Sequence, residues 1–289
     1  TGAMKCTPAH DPNDFAIAER HHLPRIICMN PDATMNERCG EFEGMDRFEC
    51  RKQLTEKIRQ EGNLINIEKH IHQVGYSERT DVIVEPMLSK QWFVRMKPLA
   101  EDVLKHQELA EEKINFCPPR FEKTFTQWLE NIEDWCISRQ RKWGLPIPVF
   151  YCKDCGKPIC TDETIDAISK LFAAEGSNAW FKKDAMEILP EGFACPHCGS
   201  RTGFTKEEDT LDGWFDSGST HFASMQKDQN FWPADMYMEG LDQYRGWFQS
   251  SLLTAVGALG KGAPFQECVT HGWTVDGEGK AMHKSLGNG

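Results

Sequence analysis

The sequence predicts an α/β fold that contains half of a doubly wound parallel sheet, with a cysteine-rich insert in the second part of the chain. Toward the end of the chain, a helical pattern at residues 248–258 precedes a short strand pattern at residues 267–270. This alternation is typical of parallel sheets flanked by helices. Because such sheets bind ligands at the carboxyl ends of their strands, the turns that follow the strands are candidate sites.

The first 80 residues predict a separate unit. The Asp11-Pro12-Asn13-Asp14 cluster is a helix start, and a second helix is predicted at residues 47–60, where apolar residues repeat at helical intervals. Residues 64–69 alternate as a strand does. Residues 97–112 predict a charged, solvated helix within a connector at residues 81–130.

Composition excludes several classes of protein. The 289 residues suffice for two domains. The formal net charge of −11 argues against a chain whose whole surface binds nucleic-acid phosphates. No apolar run of about 18 residues is present, and the first residues lack a signal-peptide pattern. We therefore expect a cytoplasmic protein that does not enter a membrane.

Two C-x-x-C pairs, each followed by glycine, mark a predicted insert at residues 150–206. Four thiolates at tetrahedral positions suit structural zinc, and such a closed site leaves no position for a substrate. The alternatives are unmetallated thiols, or a site that uses Cys160 or His197. Apart from Cys160, the cysteines outside the pairs occur singly and are expected to be buried free thiols. The predicted ligands are Cys152, Cys155, Cys195 and Cys198.

Polar groups near the end of the chain suggest a ligand site. Asp242 and Gln243 precede Trp247, so a carboxylate and an amide could hold a small polar ligand against an aromatic wall. Lys284 follows a glycine-rich run, and a mobile lysine suits a polyphosphate. The alternatives are an ordinary surface turn around Lys284 and a core position for Trp247.

Three segments together resemble class I aminoacyl-tRNA synthetases, and the resemblance is closest to isoleucyl-tRNA synthetases. They are the Glu-Gly-x-Asp-Gln-x-x-Gly-Trp stretch at residues 239–247, the Trp-Phe-Asp-Ser-Gly stretch at residues 214–218, and the Ala-Met-His-Lys-Ser stretch at residues 281–285. The last resembles the KMSKS loop of the family, with Ala281 in place of the first lysine and His283 in place of the first serine. Lys284 matches the second lysine of that loop.

The resemblance implies a role for each residue. Residues 239–247 would line the aminoacyl-adenylate pocket, and Trp214 and Trp247 would flank the amino-acid side chain. His271 would approach the adenylate ribose or phosphate. Asp242, His271 and Lys284 are the expected catalytic residues. Substrate binding is expected at Glu239, Gly240, Gln243, Trp247 and Trp214, and ATP binding at Met282, Lys284 and Ser285.

The opening segment, residues 1–15, resembles the distal part of the proofreading domain inserted in valyl-, isoleucyl- and leucyl-tRNA synthetases. Its best match is the valyl form, as is that of residues 74–79 and 85–93. In that family the residue matching Asp14 binds the α-amino group of a wrongly attached amino acid, and Asp11 and His10 are the other expected editing residues. Without the resemblance, Asp11 and Asp14 would be read as helix caps.

The implied architecture divides the chain into four parts: the distal part of a CP1-type editing domain at residues 1–80, a connector at 81–130, half of a Rossmann-like catalytic domain at 131–149 and 207–289, and the zinc insert at 150–206. The implied partners are tRNA, ATP with Mg²⁺, and an amino acid. Isoleucine is favoured over valine because the residues expected to contact it lie in the isoleucyl-like part.

The family's first ATP signature, His-x-Gly-His, does not occur in the sequence. We therefore expect this chain alone not to form adenylate, although the implied full enzyme activates the amino acid, transfers it to tRNA and proofreads it by hydrolysis. Two other classes remain open. One is a zinc-stabilised module that only binds tRNA or protein, and the other is a redox protein built on C-x-x-C.

Overall fold

The computed structural model describes residues 2–77, 80–226 and 231–289. The chain divides into two compact units, Thr1–Lys90 and Gln91–Gly289. Thr1, Glu78 and Arg79 of the motifs quoted above lie outside the described residues, as does the side chain of Ser285. Among the helices in the described ranges, none has the length and apolar character needed to cross a bilayer.

The first unit contains helices α1 (Pro12–His21) and α2 (Arg47–Gln60) and a 3₁₀ helix at Glu37–Phe42. Both predicted helices are confirmed. Asp11 caps α1 by accepting hydrogen bonds from the backbone N–H groups of Asn13 and Asp14, and Asp46 caps α2 in the same way. These caps, rather than the periodic pattern alone, fix where the helices begin.

The predicted strand at residues 64–69 is wrong. The segment has no strand assignment, and the side chains of Ile65 and Ile67 are 99% and 61% exposed. An alternating pattern forms a strand only where a neighbouring strand supplies hydrogen bonds and a core covers the apolar face. In the described part of this unit no named strand is present to do either.

The second unit contains seven α-helices and ten strands among its described residues, together with a π-helix at His221–Gln226 and 3₁₀ helices at Leu241–Arg245 and Lys284–Leu286. The helices are α3 (Met96–Glu108), α4 (Phe121–Glu130), α5 (Asp162–Glu175), α6 (Ala179–Lys182), α7 (Ala185–Ile188), α8 (Gly213–Gly218) and α9 (Trp247–Leu259). The strands are β1 (Phe93–Val94), β2 (Asn115–Cys117), β3 (Trp135–Cys136), β4 (Ser138–Arg139), β5 (Phe150–Cys152), β6 (Pro158–Ile159), β7 (Phe204–Lys206), β8 (Thr210–Leu211), β9 (Ala234–Gly240) and β10 (Phe265–His271).

A three-stranded parallel sheet in the order β2, β10, β9 organises this unit. Helix α9 connects β9 to β10, so the predicted alternation of helix and strand is confirmed, with β10 longer than expected. Strand β10 is longer because its pairing with β9 runs from Phe265 to His271. Helices α3, α4 and α9 cover the sheet. Their core includes Val103, Phe125, Tyr244, Phe248 and Leu253.

Helix α3 is shorter and less solvated than expected. It ends at Glu108, and Leu109 and Glu112 follow in turns. Met96, Ala100 and Val103 are buried on one face. Spacings of three and four residues place them on the same side of a helix. The charged residues thus occupy only the opposite face.

The insert has its own antiparallel sheet, in the order β6, β5, β7, and its own core. Phe150 and Trp180 are almost fully buried there, with ring centroids 5.1 Å apart. Two short antiparallel pairs, β1 with β3 and β4 with β8, lie outside both larger sheets. The β4–β8 pair places Arg139 opposite Thr210, directly before α8.

Helices α8 and α9 cross closely at Gly218. A Cβ at Gly218 would lie 2.9 Å from the backbone carbonyl carbon of Ser250, whereas a Cβ at Gly213 on the same helix would meet nothing within 4 Å. We expect Gly218→Ala to lower the free energy of unfolding by about 2 kcal/mol, because overpacking forces the two helices apart. Urea unfolding followed by tryptophan fluorescence measures this. Gly213→Ala is the matched control, and equal stability of the two variants would contradict the close crossing.

His221 introduces a pH dependence into the stability of this unit. The imidazole is 1% exposed, its Nε2 lies 3.1 Å from Thr254 Oγ1, and burial lowers its pKa to about 4. The unfolded chain therefore binds a proton near pH 6.5 that the folded chain does not, so stability falls as the pH drops from about 6.5 to about 4. A shift of one pKa unit corresponds to about 1.4 kcal/mol, so the free energy of unfolding should be lower by about 2 kcal/mol at pH 5 than at pH 7.

Urea unfolding at pH 7 and pH 5 tests this effect. His221→Gln should remove most of the difference between the two pH values, whereas His283→Gln, at an exposed histidine, should keep it. The same pH difference in wild type and His221→Gln would show that His221 is not responsible.

Candidate functional site

Three predicted site residues, Gly240, Asp242 and His271, form a strand-end cluster at the carboxyl ends of β9 and β10. Gly240 and His271 are register partners on these neighbouring parallel strands, and Glu239 pairs with Thr270 one position earlier. A Cβ at Gly240 would lie 2.6 Å from Asp242 Oδ1 and 3.6 Å from His271 Cε1. The absence of a side chain at Gly240 therefore allows Asp242 to fold back toward the strand ends and His271.

Gln243 joins this strand-end cluster to helix α9. Its Nε2 donates a hydrogen bond to Asp242 Oδ2 at 3.1 Å, and its Oε1 accepts one from the backbone N–H of Trp247 at 2.9 Å. Both ends of the amide are thus engaged. A Cβ at Gly246 would lie 2.7 Å from Gln243 Oε1, so a side chain at this position would displace the amide.

Of the two predicted tryptophans, Trp214 lies in helix α8 and Trp247 contacts that helix. Trp247 donates a hydrogen bond from Nε1 to the Ser217 carbonyl oxygen at 3.1 Å, and its ring stacks on Tyr237 at 4.2 Å. Trp214 is the second residue of α8 and is 44% exposed. Its Cη2 lies 3.2 Å from the position of a Cβ on Gly246. Trp247 is therefore partly a packing residue, whereas Trp214 presents an open face.

A cavity of about 520 Å³ lies beside Trp214 and Gly246. Its wall includes an ion pair in which Arg139 Nη2 lies 2.7 Å from Asp212 Oδ2. Arg245 also lines it, with its guanidinium 4.9 Å from the ring centroid of Trp128. Asp212 is not among the predicted site residues, although an aspartate two residues before Trp214 is a recognisable signal for a helix start.

The predicted ATP-binding loop forms a compact turn of its own. Val275 and Ala281 make an isolated bridge, and Asn288 donates to Asp276 Oδ2 at 2.6 Å. Met282 and Lys284 are exposed, and Lys284 begins a 3₁₀ helix at Lys284–Leu286. Within the described ranges no hydrogen bond or ion pair joins Lys284 to the strand-end cluster, so their convergence on one cavity stays a prediction.

The four predicted cysteine ligands come together in the insert. Their sulfur atoms all lie within 4.8 Å of one another and could hold a metal ion. Cys152 Sγ is 3.6 Å from Cys198 Sγ, and Cys155 Sγ is 3.8 Å from Cys195 Sγ. His197 contributes its backbone N–H to Cys195 Sγ, while its ring contacts the Pro158 carbonyl oxygen.

Thiolate formation is favoured at Cys195. Burial opposes it, but hydrogen bonds from the backbone of His197 and Cys198 lower the pKa of Cys195 to about 7. A metal ligand must be deprotonated, so these bonds favour coordination. The expectation that cysteines outside the pairs are buried is wrong for most of them, because Cys117 is exposed and only Cys50 and Cys268 are buried. Single cysteines carry no spacing signal that reveals their environment.

The predicted editing residues in the first unit are held by local hydrogen bonds. Asp14 Oδ2 accepts from the backbone N–H of Thr7 at 2.7 Å and from its hydroxyl at 3.2 Å. These bonds, the backbone one first, lower the pKa of Asp14. His10 Nδ1 lies 3.0 Å from the Pro86 carbonyl oxygen, and its Nε2 accepts from the backbone N–H of Cys28. Asp11 is a helix cap, whereas Asp14 lies inside the first turn.

Comparison with known proteins places these features in a family. A family model described as tRNA synthetases class I (I, L, M and V) matches residues 28–289. The isoleucine–tRNA ligase of Caldicellulosiruptor saccharolyticus is 44% identical over 289 residues, covering 100% of this chain and 31% of that protein. The corresponding enzyme of Natranaerobius thermophilus is 43% identical over 289 residues, covering 100% of this chain and 30% of that protein.

The valine–tRNA ligase of Halalkalibacterium halodurans is 42% identical over 296 residues, covering 100% of this chain and 30% of that protein. A crystal structure of Mycobacterium tuberculosis methionyl-tRNA synthetase bound by methionyl-adenylate aligns with a TM-score of 0.43 and 15% identity, covering 75% of this chain and 32% of that one. The chain spans about a third of the length of the curated relatives that it matches. On the evidence of the family match, the chain belongs to the class I tRNA synthetases.

Proposed function

We propose that this chain supplies part of the catalytic domain of an isoleucine–tRNA ligase, which activates isoleucine with ATP and Mg²⁺ and transfers it to tRNA. The observation that carries the proposal is the strand-end cluster, in which Gly240, Asp242 and His271 meet beside Gln243. The cluster lies at the carboxyl ends of parallel strands, where this class of sheet binds its ligands. The proposed enzyme is cytoplasmic, as expected for translation.

The chemistry of the proposed reaction suits these groups. Asp242 is exposed and its carboxylate offers a partner to a substrate ammonium group, while His271 faces the same strand end. Trp214 and Trp247 would flank the aliphatic side chain. Lys284 would offset the negative charge that develops on departing pyrophosphate, with Met282 and Ser285 completing the loop around ATP. Most of the rate enhancement would then come from placement and electrostatics.

Isoleucine is favoured over valine by a small margin. The isoleucine enzymes named above are 44% and 43% identical to this chain, and the valine enzyme is 42% identical. Valine activation is therefore the second candidate. Because the two amino acids differ by one methylene, a binding site alone separates them by about 10- to 200-fold.

Amino-acid-dependent pyrophosphate exchange by the natural protein that contains this chain tests the proposal. We expect exchange with isoleucine at least about tenfold faster than with valine at equal low concentrations. A preference for valine would support the second candidate. No exchange with either amino acid would overturn the assignment to catalysis and favour a module that only binds tRNA or protein.

We further propose that the four cysteines hold structural zinc. Zinc–sulfur bonds of about 2.3 Å in a tetrahedron place sulfur atoms about 3.8 Å apart. The two sulfur–sulfur distances of 3.6 Å and 3.8 Å in the structure fit this value. With four thiolates the site has no open position, so its role would be to hold the insert together rather than to carry out chemistry.

A proofreading contribution from the first unit is also proposed. Thr7 donates two hydrogen bonds to Asp14 Oδ2, and the Cys6 thiol also interacts with this carboxyl group. These contacts lower the pKa of Asp14 and so favour the carboxylate that would pair with the ammonium group of a wrongly attached amino acid. His10 and Asp11 would hold the pocket in shape, since their polar atoms are engaged in backbone contacts.

A further inference from the structure

Asp212 is a nearly buried carboxylate directly before helix α8. It is 7% exposed, and its Oδ2 accepts hydrogen bonds from Arg139 Nη2 at 2.7 Å and from Trp135 Nε1 at 2.9 Å. Its Oδ1 accepts from the backbone N–H of Trp214 at 3.3 Å. One side chain therefore connects β3 and β4 to the first turn of α8.

The partners of Asp212 are themselves held in place. Arg139 uses its other terminal nitrogen, Nη1, to donate to the carbonyl oxygens of Cys136 and Ser138 at 2.8 and 2.9 Å. The backbone N–H of Asp212 donates to the Ile137 carbonyl oxygen at 2.7 Å. Because both the guanidinium and the carboxylate are engaged on several sides, the start of α8 has little freedom to shift.

The position of α8 determines where Trp214 stands. Trp214 Cη2 lies 3.2 Å from the Cβ position of Gly246, and Gly246 and Asp212 line the same 520 Å³ cavity. A rotation of the first turn of α8 would move this indole toward or away from Gly246. The network around Asp212 thus fixes the width of the space next to the indole face.

We propose that Asp212 is a positioning residue that sets the amino-acid selectivity of the site by fixing Trp214. The inference rests on the function proposed above, in which Trp214 packs against the substrate side chain. A contribution to stability does not explain why an aspartate stands here. A buried ion pair adds little net stability, and serine, threonine or asparagine would cap the helix about as well as aspartate does.

Asp212→Asn separates positioning from capping. Asparagine is as good a helix cap as aspartate, so the bond to the Trp214 backbone can persist while the charge partner of Arg139 is lost. The matched control is Glu207→Gln. Glu207 Oε2 also accepts a hydrogen bond from an indole, that of Trp92 at 2.8 Å, but it has no described contact with Trp214.

The experiment measures pyrophosphate exchange by the natural protein that contains this chain, with isoleucine and valine as separate substrates. Asp212→Asn should raise the KM for isoleucine about tenfold with little change in kcat, because it weakens binding that is equal in ground and transition states. The ratio of kcat/KM for isoleucine to that for valine should fall about fivefold, and the KM for ATP should not change. Glu207→Gln should have the same KM, kcat and selectivity ratio as the wild type.

A second measurement does not depend on activity. With 5-fluorotryptophan incorporated, the ¹⁹F signal of Trp214, assigned with Trp214→Phe, should shift in Asp212→Asn and not in Glu207→Gln. An unmoved Trp214 signal, or unchanged isoleucine KM and selectivity, would overturn this inference alone. An equal loss of kcat for both amino acids at constant KM would also overturn it, as a purely structural effect. Absence of exchange in the wild type would overturn the proposed function and this inference with it.

Discussion

Serine in place of Cys152 is expected to abolish the proposed zinc binding and unfold the insert at residues 150–206. Structural zinc contributes about 10–16 kcal/mol of apparent binding free energy, which exceeds the total stability of many small domains. Cys152 ends the central strand of the insert, β5, which pairs with both β6 and β7. The loss of one ligand therefore removes both the metal and the link between the two cysteine pairs.

Metal content and limited proteolysis measure this outcome. We expect one zinc per chain in the wild type, little in Cys152→Ser, and rapid cleavage within the insert of the variant. Cys160→Ser is the matched control, since Cys160 lies in the same insert, is exposed and is not part of the four-sulfur cluster. Full metal content in Cys152→Ser, or metal loss in Cys160→Ser, would show that the ligands are assigned incorrectly. A reversible disulfide without metal would instead support the redox alternative.

Alanine in place of Lys284 should slow pyrophosphate exchange by about 100- to 1000-fold in the natural protein that contains this chain. Removing one group that stabilises developing charge in a transition state typically has an effect of this size. Because the charge on pyrophosphate grows as the bond breaks, the loss should appear in kcat more than in the KM for ATP. Rapid-quench or steady-state exchange assays measure both values.

Lys280→Ala provides the control for that experiment. Lys280 is an exposed lysine in the same loop, and its Nζ forms an ion pair with Glu278 Oε2 at 2.9 Å. Its replacement should change exchange by less than about threefold, because an exposed pair contributes little. Equal losses in the two variants would indicate general damage to the loop, and no loss in Lys284→Ala would remove Lys284 from the proposed mechanism.

Local signals in the sequence were sufficient for helices α2 and α9. The predicted range Arg47–Gln60 matches α2, since Asp46 caps its beginning and Gly62 lies just beyond its end. The pattern at residues 248–258 was nearly as accurate for α9. By contrast, the alternating pattern at residues 64–69 led to a wrong strand prediction. A strand depends on a neighbouring strand to pair with, and a six-residue pattern does not show whether such a neighbour exists.

The strand-end cluster was predictable for a related reason. Glu239, Gly240 and His271 lie at the ends of strands, and parallel neighbours bring their carboxyl ends together. Asp212 was not predictable as part of a site, because its partners Trp135 and Arg139 are 77 and 73 residues away in sequence. The position of Lys284 relative to Asp242 likewise depends on long-range packing that no short motif encodes.

Binding of a non-hydrolysable isoleucyl-adenylate analogue to the natural protein that contains this chain tests where the amino acid is held. With 5-fluorotryptophan incorporated, the ¹⁹F signals of Trp214 and Trp247 should shift in proportion to analogue bound, while that of Trp180, buried in the insert, stays in place. Saturation with the analogue that leaves Trp214 and Trp247 unchanged would contradict the placement of the amino-acid site at the ends of β9 and β10.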